Sequence, residues 1–385
     1  MMKKTLFILA LAAATGFKTA DAVELTPTGD VRFRYESLQN KFDGGTANYA
    51  NDRWRTRVRV GLNAWINEEV SASVSIATDA DNDGVSYKGA VSRNTTYSTL
   101  FNAKSIWLNE AYIDYHPMDY GFDGKVNLLF GKRDVAKTLV WTDDMIYDGD
   151  LTFEGATLQY GKAADGKEKE GLILIGGYYF LDQVSPASTD IAGYNAPSKE
   201  NDPFLTVVQL AWKGEVVEHP FTIGVGDHNF RNLEFLPVYD TKNVNVASRN
   251  LVEFFGTIGG EFSETLPWQI RGQFAHNSGG KAITNQKDAW LAGVSIGDAK
   301  QPGQWKVDFN YNRIEKDSVF PFFTDSDRKV GNYNSGTQGW EVGATYHLVQ
   351  NMTVGAKYYN YYQIHQLDAG NPHLHTLQCD MVVKF

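Results

Sequence analysis

Polar and apolar residues alternate with a period of two along most of the chain, and residues 53–63 show this pattern most clearly. Arg53, Arg55, Arg57 and Arg59, the arginine row, are each separated from the next by one residue. Successive residues of a strand point to opposite faces of its sheet. The segment is therefore predicted to be a strand with one strongly basic face and one largely apolar face.

The same alternation recurs along the chain and predicts about sixteen antiparallel strands. Residues 31–35 place Arg32 and Arg34 between apolar neighbours, and residues 305–312 alternate at every position. The connections alternate in length. Short ones lie near residues 67, 264 and 351, and long polar ones lie at residues 38–52, 79–103, 182–202, 229–249 and 314–337. Short periplasmic turns and long extracellular loops are typical of bacterial outer-membrane barrels. The predicted fold is all-β, a transmembrane antiparallel β-barrel.

The N-terminal segment has the layout of a secretory signal peptide. Lys3 and Lys4 precede an apolar run over residues 6–17, and Ala20-Asp21-Ala22 forms an A-x-A cleavage site. A basic start, a short apolar run and small residues at the cleavage site are the three parts of such a signal. We therefore expect residues 1–22 to be removed and residues 23–385 to form the barrel domain.

The chain ends in an alternating segment that finishes on an aromatic residue, Phe385. A closing strand that ends in Phe resembles the terminal signature of bacterial outer-membrane barrels, which the barrel-assembly machinery recognises. We therefore expect that machinery and outer-membrane lipid as partners, and the outer membrane of a Gram-negative bacterium as the location.

Composition narrows the function classes. The formal net charge of −10 argues against a nucleic-acid partner, which would require a basic surface. A mean hydropathy of −0.36 is unusual for a helical membrane protein but fits a barrel, in which only alternate strand residues meet lipid. The chain has no Gly-x-Ser-x-Gly motif and no phosphate-binding glycine loop, and its eight histidines are scattered. The sequence therefore does not predict an enzyme.

Membrane energetics determine the direction in which the arginine row points. An arginine that faces lipid costs about 2–4 kcal/mol at the bilayer midplane, so four would cost on the order of 10 kcal/mol. In a barrel the row must therefore face the lumen. By strand phase, Arg32 and Arg34 are predicted to line the same pore.

The segment between the fifth and sixth predicted strands, residues 131–150, combines an apolar stretch with a group of acidic residues. Leu139-Val140-Trp141 is followed by four aspartates, which are Asp143, Asp144, Asp148 and Asp150. In sixteen-stranded porins the third extracellular loop folds into the barrel and narrows it. If this loop does so, its aspartates would oppose the arginine wall and create a transverse field. The alternative is that the aspartates are solvated at a loop tip.

Several short motifs resemble the putative porin family of Gram-negative outer membranes. They are GDVRFRY at 29–35, GKR at 131–133, YDGD at 147–150 with EGA at 154–156, and the stretch 311–327. The resemblance spans nearly the whole chain after residue 22. It implies a sixteen-stranded channel for small hydrophilic solutes that is commonly trimeric, so we expect a homotrimer.

The segment Asp79-Ala80-Asp81-Asn82-Asp83-Gly84 looks like the start of an EF-hand calcium loop. Asp79, Asp81 and Asp83 occupy the first, third and fifth positions, but the twelfth position is Ala90 instead of a bidentate Glu. A polar turn is the favoured interpretation, and a structural calcium ion is the alternative. No other cofactor is expected.

Three functions remain open. The favoured one is an outer-membrane porin for passive diffusion of small hydrophilic solutes and ions. A substrate-selective anion channel or exporter, for phosphate or uronic acid polymers, would be favoured by an inward arginine ladder that no acidic residues oppose. An outer-membrane hydrolase would need a catalytic Ser and His on the same side of the barrel wall.

Overall fold

The computed structural model describes residues 23–41, 49–79, 90–98, 100–119, 122–183, 201–236, 248–279, 285–331, 334–364 and 371–385. Sixteen long strands in these ranges form one antiparallel sheet. They are β1 Glu24–Lys41, β2 Tyr49–Asn67, β3 Val70–Thr78, β4 Ile106–Tyr115, β5 Val126–Asp134, β6 Thr152–Tyr160, β7 Gly171–Phe180, β8 Phe204–Val216, β9 His219–Arg231, β10 Ser248–Ser263, β11 Leu266–Asn277, β12 Asp288–Gly297, β13 Trp305–Ile314, β14 Thr337–Val349, β15 Met352–Gln363 and β16 His373–Lys384.

Small elements lie in the connections between these strands. They are the helix α1 Val135–Thr138, the 3₁₀ helices Leu233–Phe235 and Ser326–Arg328, and a two-residue strand at Thr95–Thr96 that pairs with β2. No helix in the described part of the chain is long and apolar enough to span a membrane.

The sheet closes on itself, which confirms the predicted sixteen-stranded barrel. Val31 of β1 lies opposite Val58 of β2 on one side and opposite Val383 of β16 on the other. Every other long strand pairs with the strands before and after it in sequence. Among the sixteen described strands, closure leaves no unpaired sheet edge, which is what a sheet needs to cross a bilayer.

The connections follow the predicted alternation of length in part, since those at 116–125 and 161–170, on the same side as the shortest turns, are ten residues long. Two-residue turns occupy 68–69, 217–218, 264–265 and 350–351. In one of them Val217 and Glu218 both have positive φ, +49° and +65°, as a tight turn between twisted strands requires. Three of the long connections at the opposite end are used below: L2 (79–105), L3 (135–151) and L7 (315–336).

The outer face of the barrel is apolar and aromatic. Trp54 is 50% exposed and stacks on Phe33 at a centroid distance of 5.1 Å, and Trp290 stacks on Tyr311 at 5.4 Å. These side chains lie on the face opposite the charged residues of the same strands. The outer surface therefore suits lipid, with aromatic residues of the kind that form interfacial girdles.

The interior has one apolar half and one charged half. Ile173, Ile175 and Leu205 point inward from β7 and β8 and are almost completely buried against residues of L3 and L7. Both faces of β7 therefore meet apolar surroundings, which explains why its residues do not alternate clearly between polar and apolar. The charged half follows β14, β15, β16, β1 and β2.

Candidate functional site

L3 folds into the barrel and is fixed to the inner wall near its start. Asp134 caps α1 by accepting hydrogen bonds from the backbone N–H groups of Ala136 and Lys137. The carboxamide of Gln209 on β8 then binds both backbone groups of Val140, at 2.9 and 3.2 Å. One boundary differs from the sequence prediction, because residues 131–134 continue β5 and only the residues after Asp134 leave the wall.

A buried chain of three polar side chains holds the middle of L3. The Tyr147 hydroxyl lies 3.0 Å from Nδ1 of His228, and Nε2 of His228 lies 2.8 Å from the carboxylate of Glu253. Gln273 also donates to that carboxylate, at 2.6 Å. Each of these side chains is more than nine-tenths buried. Leaving buried polar groups unpaired is costly, so these hydrogen bonds favour a single position for L3.

L7 also folds into the barrel, which the sequence analysis did not predict. Phe320 packs against Phe230 of β9, and the buried guanidinium group of Arg249 donates to the carbonyl of Val319. The backbone N–H of Asp148 in L3 donates to the carbonyl of Phe323 in L7 at 2.7 Å. The two loops therefore form one packed insert that fills the apolar half of the lumen.

The arginine row points into the barrel, and carboxylates on β1 accompany it along its length. Glu36 pairs with Arg53 and, at 3.3 Å, with Arg55. Asp30 pairs with Arg57 at 2.9 Å and with Arg59 at 2.5 Å. β1 and β2 are neighbours in register, so each acid lies directly beside the arginines that it neutralises.

The four arginines of the row differ in their access to water. The side chains of Arg53 and Arg59 are 29% and 30% exposed, whereas those of Arg55 and Arg57 are 7% and 10% exposed. Arg55 also donates to the backbone carbonyl of Asn94 in L2 at 3.0 Å. Arg53 and Arg59 thus meet the lumen, while the two middle arginines are covered by L2 and L3 residues.

Arg34 and Arg32 on β1 extend this charged wall. Arg34 makes a two-pronged contact with Asp380 of β16, with both distances at 2.7 Å, and lies 3.5 Å from Asp327 of L7. Arg32 donates through Nε and Nη2 to the side-chain oxygen of Asn94, at 3.1 and 2.5 Å.

The four L3 aspartates do not form the single acidic face that the sequence analysis expected. Asp150 alone approaches the arginine row, at 3.6 Å from Arg57 and 3.7 Å from Arg59. Asp143 points the other way and pairs with Arg271 and Arg328, at 2.5 and 3.3 Å. The loop turns sharply between these residues, so neighbouring aspartates are directed to opposite sides of the lumen.

Asp144 and Asp148 are turned into the insert itself. Asp144 accepts the backbone N–H of Gly149 at 3.1 Å, and Asp148 accepts that of Asp150 at 2.7 Å. Burial raises the pKa of both carboxyl groups, and the nearby Asp325 of L7 raises it further. Their contacts indicate that they shape the loop, which corrects the expectation that they face the arginine wall.

Water reaches the lumen along the charged half. Besides Arg53 and Arg59, the side chains of Asp380 and Lys357 keep 23% and 34% of their surface accessible. Towards the periplasmic end, beneath L3, lies a cavity of about 1010 Å³ whose lining includes Trp141, Lys213 and Lys306. The arrangement is a narrowed channel with charged side chains on its open side.

Most of the chain matches one known family. Residues 33–254 and 229–385 match the family described as putative porin. The chain belongs to the putative porin family. This confirms the resemblance seen in the short motifs and places the protein in the Gram-negative outer membrane.

Solved porin and channel structures share the fold of this porin at low sequence identity. A structure of OprB from Pseudomonas putida matches with a TM-score of 0.56 and 11% identity, over 93% of this chain and 94% of that one. The outer membrane channel DcaP of Acinetobacter baumannii matches with a TM-score of 0.52 and 13% identity, over 96% and 99%. A mutant porin of Rh. blastica matches with a TM-score of 0.50 and 10% identity, over 94% and 100%. A search of curated proteins found no match.

The porin uses charged residues that the sequence analysis did not select. Arg271 binds Asp308 as well as Asp143, and Arg328 binds Glu341 at 3.0 Å. Asp308 belongs to the polar set of the alternating segment 305–312, so strand phase predicts that it faces inward. The inward position of Arg328 depends on the folding of L7, for which the only sequence indication was the apolar run at 319–323.

The suggested calcium site lies at the edge of the described residues. Asp79 is buried at the end of β3, whereas Asp81 and Asp83 fall outside the described residues. Within the described ranges, no three His, Cys, Asp or Glu side chains are grouped so that they could hold a metal ion. The calcium site stays a prediction.

Proposed function

We propose that this porin forms a water-filled channel for passive diffusion of small hydrophilic solutes, narrowed by the joined L3 and L7 loops and bordered by the arginine wall. The observation that carries the proposal is the division of the interior. L3 and L7 bury the apolar half of the lumen, and the half that water reaches carries paired charges. Close, paired charges of both signs restrict size and leave only modest ion selectivity.

The pairing of the arginine row argues against a dedicated anion channel or exporter. An inward arginine ladder that no acid opposes would favour that alternative, but Glu36 and Asp30 pair with all four arginines of the row. The wall therefore does not present a continuous row of uncompensated positive charge to a solute.

We further propose that the chain is not an enzyme. A second proposal concerns its assembly: the barrel-assembly machinery inserts it through the strand that ends in Phe385, and it then works as a homotrimer. The family and the fold, which are those of channels, support the first point. The second rests on the terminal aromatic residue and on the resemblance to porins that are commonly trimeric. Chemical cross-linking of the purified protein in detergent should give a dominant three-subunit band, and a dominant monomer would contradict the trimer.

The channel itself is tested by adding purified protein to a planar lipid bilayer between two salt solutions. We expect discrete, stable current steps, because the charged half of the lumen is solvated. A protein that is folded, as judged by its β-sheet circular dichroism, but gives no current steps would contradict the proposed function.

A further inference from the structure

The charged wall carries one more arginine than acid. Its arginines are the arginine row together with Arg32 and Arg34. Among the described residues, the carboxylates that lie within 4.0 Å of these arginines are Asp30, Glu36, Asp150, Asp327 and Asp380. Six cations therefore face five anions, and the surplus charge must lie at the arginine that no acid contacts.

That arginine is Arg32. Its guanidinium group binds the side-chain oxygen of Asn94, a neutral acceptor, and no carboxylate of the described residues lies within 4.0 Å of it. The acids nearest in the wall are engaged elsewhere, since Asp380 holds Arg34 with both oxygens and Asp150 contacts Arg57 and Arg59. The Asn94 contact uses Nε and Nη2 and leaves the remaining N–H donors of Arg32 available.

The neighbours of Arg32 increase the local positive potential. Arg57 lies directly opposite Arg32 in the β1–β2 register, and Arg34 follows two residues later on the same inward face. Arg32 itself is half-buried and borders the lumen. Asn94 fixes the guanidinium plane without neutralising it, which is a pre-organised geometry for binding an oxyanion.

We propose that Arg32, held by Asn94, is a binding site for the carboxylate or phosphate group of a permeating solute. This inference rests on the proposed channel function. Two oxygens of such a group match the free N–H donors of a guanidinium group. Binding at one site of the wall would enrich anions in the lumen and give the channel a modest anion preference, while the paired arginine row contributes little.

The test measures block of the potassium chloride current through single channels by added inorganic phosphate and, in a separate arm, by added acetate. In the natural protein at least one of the two anions should reduce the current in a concentration-dependent way. Arg32→Gln should raise the half-blocking concentration by about tenfold, as expected for the loss of charge-assisted hydrogen bonds. Block by phosphate alone would identify phosphate groups as the ligand, block by acetate alone would identify carboxylates, and block by both would identify oxyanions in general.

A second variant keeps the test informative if Arg32→Gln perturbs folding. Asn94→Asp places a carboxylate at the atom that Arg32 already binds, so the barrel keeps that contact while the surplus charge disappears. It should weaken block as Arg32→Gln does. Arg313→Gln is the matched control, because Arg313 lies on the outer face of β13 and its loss changes the net charge by the same amount.

Two outcomes would overturn the site. One is absence of block by either anion in a natural channel that conducts, and the other is block that neither Arg32→Gln nor Asn94→Asp weakens. Absence of any current step from the natural protein would instead contradict the proposed function, so the two failures are distinguishable.

Discussion

At the scale of single residues, the lumen is organised by pairing and not by rows of like charge. Asp30 and Glu36 each serve two arginines of β2, and Asp150 of L3 reaches the same wall from the other side. The free-energy cost of placing an arginine against lipid predicts that the arginine row faces inward, but it does not predict which acids neutralise the row. Those partners lie on β1, β16 and the loops, and strand phase alone does not reveal contacts between distant segments.

Asp150 is the L3 residue with the most direct effect on the permeating ions. Asp150→Asn removes the carboxylate near Arg57 and Arg59, and Asp30 alone then compensates both arginines. We expect the reversal potential in a salt gradient to shift toward anion preference. Asp165→Asn, in an exposed periplasmic turn, should leave it unchanged. An unchanged potential in Asp150→Asn, or a shift toward cations, would contradict this role.

At the scale of the elements, the constriction depends on how L3 and L7 are held. Tyr147→Phe removes the hydroxyl that pairs with Nδ1 of His228 and leaves that nitrogen buried without its partner. The expected loss of unfolding free energy is about 1–3 kcal/mol. Thermal unfolding in detergent should show a lower midpoint and single-channel recordings should show a noisier open state. Tyr178→Phe, on the lipid-facing side, is the control and should match the natural protein in both measurements.

Arg328 holds L7 in place, as the Tyr147 hydroxyl holds L3. It is completely buried and contacts Asp143, Asp325 and Glu341. In Arg328→Gln, Asp143 keeps Arg271 and Glu341 keeps Lys357, but Asp325 loses its ion-pair partner. Breaking a buried ion pair costs about 3–5 kcal/mol. We expect L7 to detach and the single-channel conductance to rise. A conductance equal to that of the natural protein, in a variant that remains folded, would show that L7 does not narrow the pore.

Sequence reasoning recovered the barrel, its strand number and the inward direction of the arginines. These features follow from local alternation and from the cost of charge in lipid, and both can be read along one strand. Whether L3 folds into the barrel stayed open from the sequence, and its contacts with Gln209, His228 and L7 show that it does. Sequence reasoning missed L7, although the run at 319–323 is similarly apolar, because the packing of that run against Phe230 and Arg249 joins segments far apart in sequence. Asp143 and Asp150 were both expected to face the arginine row, because their contacts with distant segments cannot be read from the loop sequence. The fold of the loop directs them to opposite sides of the lumen.

At the scale of the whole molecule, the buried loop insert makes stability depend on pH. Burial raises the pKa of Asp325 in L7 to about 6, with Arg328 opposing the shift and Asp327 adding to it. The pKa values of Asp144 and Asp148 are raised as well. An aspartate in an unfolded chain has a pKa of about 3.9, so the folded protein binds more protons than the unfolded chain between roughly pH 6 and pH 4. Stability should therefore rise as the pH falls from 7 to 5.

The carboxyl groups with the opposite shift act only at lower pH. Burial lowers the pKa of His116, and this group partly offsets the rise in stability between pH 7 and pH 5. The pKa of Asp327 is lowered to about 2, because Arg34 and other partners outweigh the effect of its burial, and that of Asp150 is lowered by the arginine wall. Their stabilising contributions are lost only below about pH 4. Heat unfolding in detergent should give a higher midpoint at pH 5 than at pH 7. Asp325→Asn keeps the cap of the 3₁₀ helix and should reduce this difference. A midpoint that falls between pH 7 and pH 5 in the natural protein would contradict the assignment.

The central claim is that solutes pass along the charged wall and not through the apolar half that L3 and L7 fill. It is tested most directly by modifying single introduced cysteines with a charged, water-soluble thiol reagent during bilayer recording, in a Cys379→Ser background. Arg59→Cys lies on the accessible wall, and Ile175→Cys lies under the loop insert. We predict that the reagent reduces the current of Arg59→Cys channels and leaves that of Ile175→Cys channels unchanged. Modification that blocks Ile175→Cys and spares Arg59→Cys would contradict the account.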